Sequence, residues 1–85
     1  MRFSAFLIAA KSDPTIGVSH IGMFAVIEDL ADHSGCVYFR RKEIMELAKI
    51  SAKATYHNVI GYLSRKGYLE YEPSYDCRKL NVIRL

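Results

Sequence analysis

Ala54, Asn58, Gly61 and Arg65 fall on one side of a helical wheel drawn through residues 52–66, flanked by Thr55, His57 and Tyr62. The opposite side is Tyr56, Val59, Ile60 and Leu63, an apolar stripe that seeks a core. The outward set is small and uncharged at its centre, with Arg65 at its end. An amide such as that of Asn58 can pair with adenine through two hydrogen bonds. Arg65 and Lys66, nearer the end of the helix, suit phosphate. Lys53, Ala54, Thr55, His57 and Tyr62 would line or flank the groove of a duplex, and Arg78 and Lys79 would add contacts from a following hairpin. Gly61 costs about 0.5–1 kcal/mol relative to alanine inside a helix. Either a foreign surface approaches it closely, or a neighbouring element of the same chain does.

That chemistry is recognition rather than catalysis. The chain holds no glycine-rich phosphate loop, zinc signature or nucleophile elbow. His57 and Thr55 are two residues apart and do not face each other on a helix. Glu43 and Glu46 lie one turn apart on a short exposed helix, where paired-acid catalysis would need a cleft. No enzymatic activity and no cofactor are expected. Cys36 and Cys77 lack the spacing of a disulfide framework, and with His20, His33 or His57 they form no metal-ligand pattern. Both are expected to be free thiols, with no metal bound.

Eighty-five residues with a hydrophobic fraction of 51% make one domain with a single core. The longest apolar run, Ala5 to Ala10, is far short of the roughly 20 residues of a membrane span. No small-residue cleavage site follows it, so a cytoplasmic protein is expected. Net charge is +3, unevenly spread. Residues 1–35 carry two basic against four acidic side chains, and residues 36–85 carry ten against five. The positive charge belongs to the C-terminal half, where phosphates would be met.

Those side chains need elements to hold them. Phe3, Phe6, Leu7 and Ala10 repeat as one helix face, widened by Ile8, before Pro14 forbids continuation; a strand is the competing reading. Ser19 is the expected N-cap of a second helix striped by Phe24, Ile27, Leu30 and Ala31, with Met23 on the edge. Glu28, Asp29 and Asp32 face away from that stripe, and Gly35 is its stop. Cys36 to Phe39 is β-prone. Arg41 to Lys49 is a short helix without a good N-cap. Lys49, Ile50 and Ser51 form a turn in which Ile50 plugs the core and Ser51 caps the next helix. That helix runs from about Ala52 to Lys66 and stops at Gly67. Tyr68 to Glu72 and Leu80 to Leu85 are strands joined by the turn residues Pro73 to Asp76.

Helix, turn, helix, hairpin is the order of a winged helix-turn-helix, which commonly places its second helix in the major groove. The expected fold is α+β: a winged helix over residues 19–85, carrying an additional N-terminal helix within residues 1–14. A glycine usual in the turn between the helices is missing. The apolar surplus of Phe3, Phe6, Leu7 and Ile8 leads us to expect a homodimer that uses the N-terminal helix. Two recognition helices about 34–36 Å apart would then match adjacent half-sites.

The strings Lys53-Ala54-Thr55-Tyr56-His57 and Leu63 to Ser74, with Ser19-His20-Ile21 and Met23-Phe24-Ala25 upstream, carry a resemblance. The chain resembles small winged-helix proteins encoded on bacterial conjugative transposons and related mobile elements. More distantly, its third helix and hairpin resemble multiple-antibiotic-resistance-type regulators. The resemblance implies sequence-specific binding of double-stranded DNA, in transcription regulation or as a mobile-element accessory factor, and no catalytic residues. The stretch Asp76-Cys77-Arg78-Lys79-Leu80 departs from that pattern, where a glycine-containing turn is usual. The alternative is a protein–protein module in a recombination, replication or transcription assembly, since the fold also serves that use.

Overall fold

Apolar side chains at helical and strand periods set the order α1 (Phe3–Ala10), α2 (Val18–Leu30), β1 (Cys36–Phe39), α3 (Arg41–Leu47), α4 (Lys53–Arg65), β2 (Glu70–Glu72) and β3 (Asn81–Arg84). The computed structural model describes residues 2–74 and 79–85. Among them the class is α+β, with four helices and a three-stranded antiparallel sheet of order β1-β3-β2.

The first segment is a helix and not a strand, and its Phe6 is part of the core. Phe6 is fully buried. Its ring stacks on Phe24 with centroids 4.1 Å apart and meets the edge of Tyr68 at 5.2 Å. Glu28, expected to face solvent, reaches the start of α1 and accepts the Phe3 N–H at 2.8 Å. A carboxylate there satisfies one of the orphan amides and favours the positive end of the helix dipole.

Two boundaries of α2 differ from expectation. Gly17, not Ser19, is its N-cap. The Gly17 N–H donates to His20 Nδ1 at 3.1 Å, so an imidazole fills the place that Glu or Gln takes in a capping box. At the other end the helix stops at Leu30, before Gly35. Asp32 explains the early stop. Its Oδ1 accepts from the Ser34 N–H, the Ser34 hydroxyl and the Cys36 N–H, offering the backbone an alternative to another helical turn. Gly35 serves the turn instead, at φ +83°.

The helices α3 and α4 end alike. In α4, the Tyr68 N–H reaches the Leu63 carbonyl at 2.9 Å and the Gly67 N–H reaches Ser64, with Gly67 left-handed at φ +78°. In α3, the Ile50 N–H reaches Met45 at 2.9 Å and the Lys49 N–H reaches Glu46. This is the Schellman pattern twice. Lys49 holds the position that usually takes glycine, at φ +60°. The glycine missing from the turn is therefore replaced by a strained lysine and not by a different turn. Ile50 is buried, as expected. Ser51 caps nothing: the N-cap of α4 is Ala52, without a side-chain bond. At the start of α3, Glu43 accepts the Arg40 N–H at 3.0 Å.

In the sheet, Ile83 of the central strand pairs with Val37 on one side and Tyr71 on the other. Val37, Phe39 and Ile83 point into the core against Tyr56, Val59, Ile60 and Leu63 of α4. The β2 strand is shorter than expected, because Tyr68 is drawn into the end of α4 and its hydroxyl is bonded elsewhere.

Candidate nucleic-acid interface

α4 is held from beneath. Tyr56 is fully buried, and its hydroxyl lies 3.1 Å from that of Tyr71 on β2. Burial first, then the Tyr71 hydrogen bond, pushes the Tyr56 phenol well above its ordinary range, so it stays neutral. With this side fixed, the outward face presents the residues read from the sequence. Lys53, Ala54, His57, Asn58, Arg65 and Lys66 are exposed, and Thr55, Gly61 and Tyr62 are half-buried. From Lys53 to Arg65 the helix carries no acidic residue.

A side-chain cluster fixes the C-terminal part of this face. Tyr62 donates to both oxygens of the Asp13 carboxylate at 2.8 Å, and Tyr68 donates to Oδ2 at 2.8 Å. The Tyr62 bond, helped by Tyr68, holds the Asp13 carboxyl below its usual range. Burial and the same carboxylate push the Tyr68 phenol up. Tyr62 thus flanks the face with its ring, while its hydroxyl is committed to the α1–α2 connection. His20 meets that ring edge-on at 5.4 Å. The Arg65 guanidinium carbon and the Lys66 ammonium lie 6.0 and 5.9 Å from the ring centroid, at the outer limit of cation–π attraction.

Gly61 has space around it. A Cβ placed there would meet only Arg65 Nη1, at 3.3 Å. Among the described residues no neighbouring element comes within 4 Å of that position, which argues against close internal packing as the reason for this glycine.

At the other end, α3, the turn and the start of α4 enclose an open cleft of about 690 Å³. Arg41, Lys42, Lys49 and Lys53 line it, with Glu46 the single acid. Arg41 Nε is buried and has no hydrogen-bond partner among the described residues. Of these four cations, only Lys53 had been placed in the site from the sequence; the ten basic residues of the C-terminal half were the available signal.

Two cations of the hairpin, Arg78 and Lys79, were read from the sequence as part of the site. Lys79 is exposed, and Arg78 lies outside the described residues. β2 exposes Glu70 and Glu72, of which Glu72 pairs with Arg84 at 2.7 Å. A surface pair of this kind adds little stability.

No known protein family, curated protein or solved structure matches the chain. The surface of α4 and its surroundings therefore carry the functional reading. Among the described residues no helix is long and apolar enough to cross a membrane, and no group of three or more His, Cys, Asp or Glu could hold a metal ion. The Cys36 thiol is free, and Cys77 lies outside the described residues.

Proposed function

We propose that this chain is a winged helix-turn-helix domain that binds double-stranded DNA with sequence preference, as a regulator or an accessory factor. One observation carries the reading. α4 turns an acid-free face to solvent, with four cations in the cleft at its start and Arg65 and Lys66 at its end. That is the charge arrangement a helix needs to enter a groove between two phosphate rows.

The element order supports the same reading. α3, the Lys49–Ser51 turn and α4 form the helix-turn-helix, and β2 with β3 forms the hairpin beside it. Asn58 stands mid-helix on the exposed face with no partner among the described residues, free to pair with adenine. The cations of the cleft would take backbone phosphates. A protein partner on this face has weaker support, because the centre of the face offers no large apolar anchor of the kind that dominates protein interfaces.

The test is a titration of labelled duplex at several salt concentrations. Log affinity should fall with log salt by about 0.9 per phosphate contacted. Lys42→Ala combined with Lys49→Ala should weaken binding to all sequences and lower that slope by about 2. Absence of binding at low salt, or a flat slope, would remove the DNA reading.

A further inference from the structure

Arg65 stands at the last turn of α4, nearest the phosphates that a cation at a helix end would meet. Its guanidinium does something else. Side chains on a helix lean toward the N-terminus, over the residue four positions earlier. For Arg65 that residue is Gly61, and among the described residues no other side chain comes within 4 Å of the missing Cβ, which leaves a lane. Nη1 lies where a Gly61 Cβ would be only 3.3 Å away. The Tyr62 ring borders the lane, with the guanidinium carbon 6.0 Å from its centroid. That ring cannot swing freely, because Asp13 holds its hydroxyl at 2.8 Å. The forked donor is thus brought back one turn, from the end of the helix to the middle of its exposed face.

Resting on the DNA-binding reading above, we propose that Arg65, laid back over Gly61 and bordered by Tyr62, reads a guanine rather than a phosphate. Arginine pairs with guanine O6 and N7 through two hydrogen bonds. Asn58 lies three residues before Gly61, about 4.5 Å along the axis. Base pairs follow one another at about 3.4 Å. The guanine read by Arg65 is therefore within two base pairs of the adenine read by Asn58. Gly61 and Tyr62 are positioning residues in this arrangement. Gly61 provides the lane, and Tyr62 limits the guanidinium from one side.

The experiment is selection from a randomised duplex library, using the purified full chain and its Asn58→Ala, Arg65→Ala, Gly61→Ala and Gly61→Gln variants. Melting curves verify that each is folded. The wild type should enrich a motif with a G·C pair within two positions of the A·T pair that Asn58→Ala relaxes. Arg65→Ala should lose the G·C preference by about tenfold or more and keep the A·T preference. Gly61→Gln fills the lane and should lose the G·C preference too. Gly61→Ala moves a flexible side chain by a few tenths of an ångström and should keep most of it. If Arg65→Ala binds every sequence more weakly with its motif unchanged, Arg65 meets phosphate and the inference falls. An unchanged motif in Gly61→Gln overturns the role of the lane. A wild type that binds duplex without enriching any motif overturns base reading while leaving DNA binding intact, and one that binds no duplex overturns the DNA reading itself.

Discussion

Phe6→Ala should destabilise the domain by about 3–5 kcal/mol, the usual range for removing a fully buried phenyl ring. The structure favours the upper part of that range. Phe6 is completely buried, lies flat on Phe24 with planes 4° apart, and touches the Tyr68 edge at 5.2 Å. Aromatic pairs of this kind contribute about 0.5–1.5 kcal/mol beyond their buried area. A domain of 85 residues has roughly 4–13 kcal/mol of stability in total. The substitution thus removes a third or more of it and lowers the melting temperature by roughly 15–30 °C. Urea unfolding followed by far-ultraviolet circular dichroism measures the change at constant slope. Ser4→Ala is the internal control. Ser4 sits two residues away on the same helix but is exposed, so its change should shift stability by about 0.5 kcal/mol or less. If both variants cost the same small amount, α1 is an appended helix and its place in the core is wrong.

Three further outcomes are expected. Burial, opposed by Asp13, holds the His20 pKa below its ordinary 6.5 in the folded chain. The unfolded chain then binds the proton more readily, so stability present above about pH 6.5 declines as pH falls through the folded value. The lowered Asp13 and Asp32 carboxyls add a second decline below their ordinary 3.8. Urea midpoints from pH 8 to 3 would display both steps, and His20→Gln should abolish the first; a first step that survives in that variant refutes the assignment. Lys49→Gly should raise stability by about 1 kcal/mol, by relieving the left-handed backbone at φ +60°, and should weaken DNA binding by removing a cleft cation. Parallel melting and binding curves decide it, and a variant less stable than wild type argues against strain at this residue. For self-association, α1 keeps Leu7 and Ile8 exposed after burying Phe6, and we propose that they face a second copy. Sedimentation equilibrium should find a dimer that Ile8→Glu converts to monomer, whereas a wild-type monomer at tens of micromolar rules the dimer out. Removing residues 1–11 would not serve as the test, because it also removes Phe6 from the core.

Periodicity made much of the architecture readable in advance. The stripe of Tyr56, Val59, Ile60 and Leu63 located the buried side of α4, and Cys36 to Phe39 is the first strand as expected. Helical and strand periods are properties of neighbouring residues, so one sequence contains them. The same holds for the exposed face with Ala54, Asn58 and Arg65. Short-range chemistry was harder to read. Ser19 looked like a cap, yet Gly17 is the N-cap, and Asp32 ends the helix before Gly35, because several side chains compete for the same few amides. Lys49 adopts glycine's conformation, which packing of Ile50 enforces against local preference. What only the tertiary structure decided are the partnerships across the chain. Asp13 meets Tyr62 and Tyr68, which lie 49 and 55 positions away, and Glu28 meets Phe3 across 25. The cleft gathers cations from α3, the turn and α4, and the lane over Gly61 exists because no other described residue packs there. No local pattern encodes such meetings, since they depend on which surfaces the buried core brings face to face.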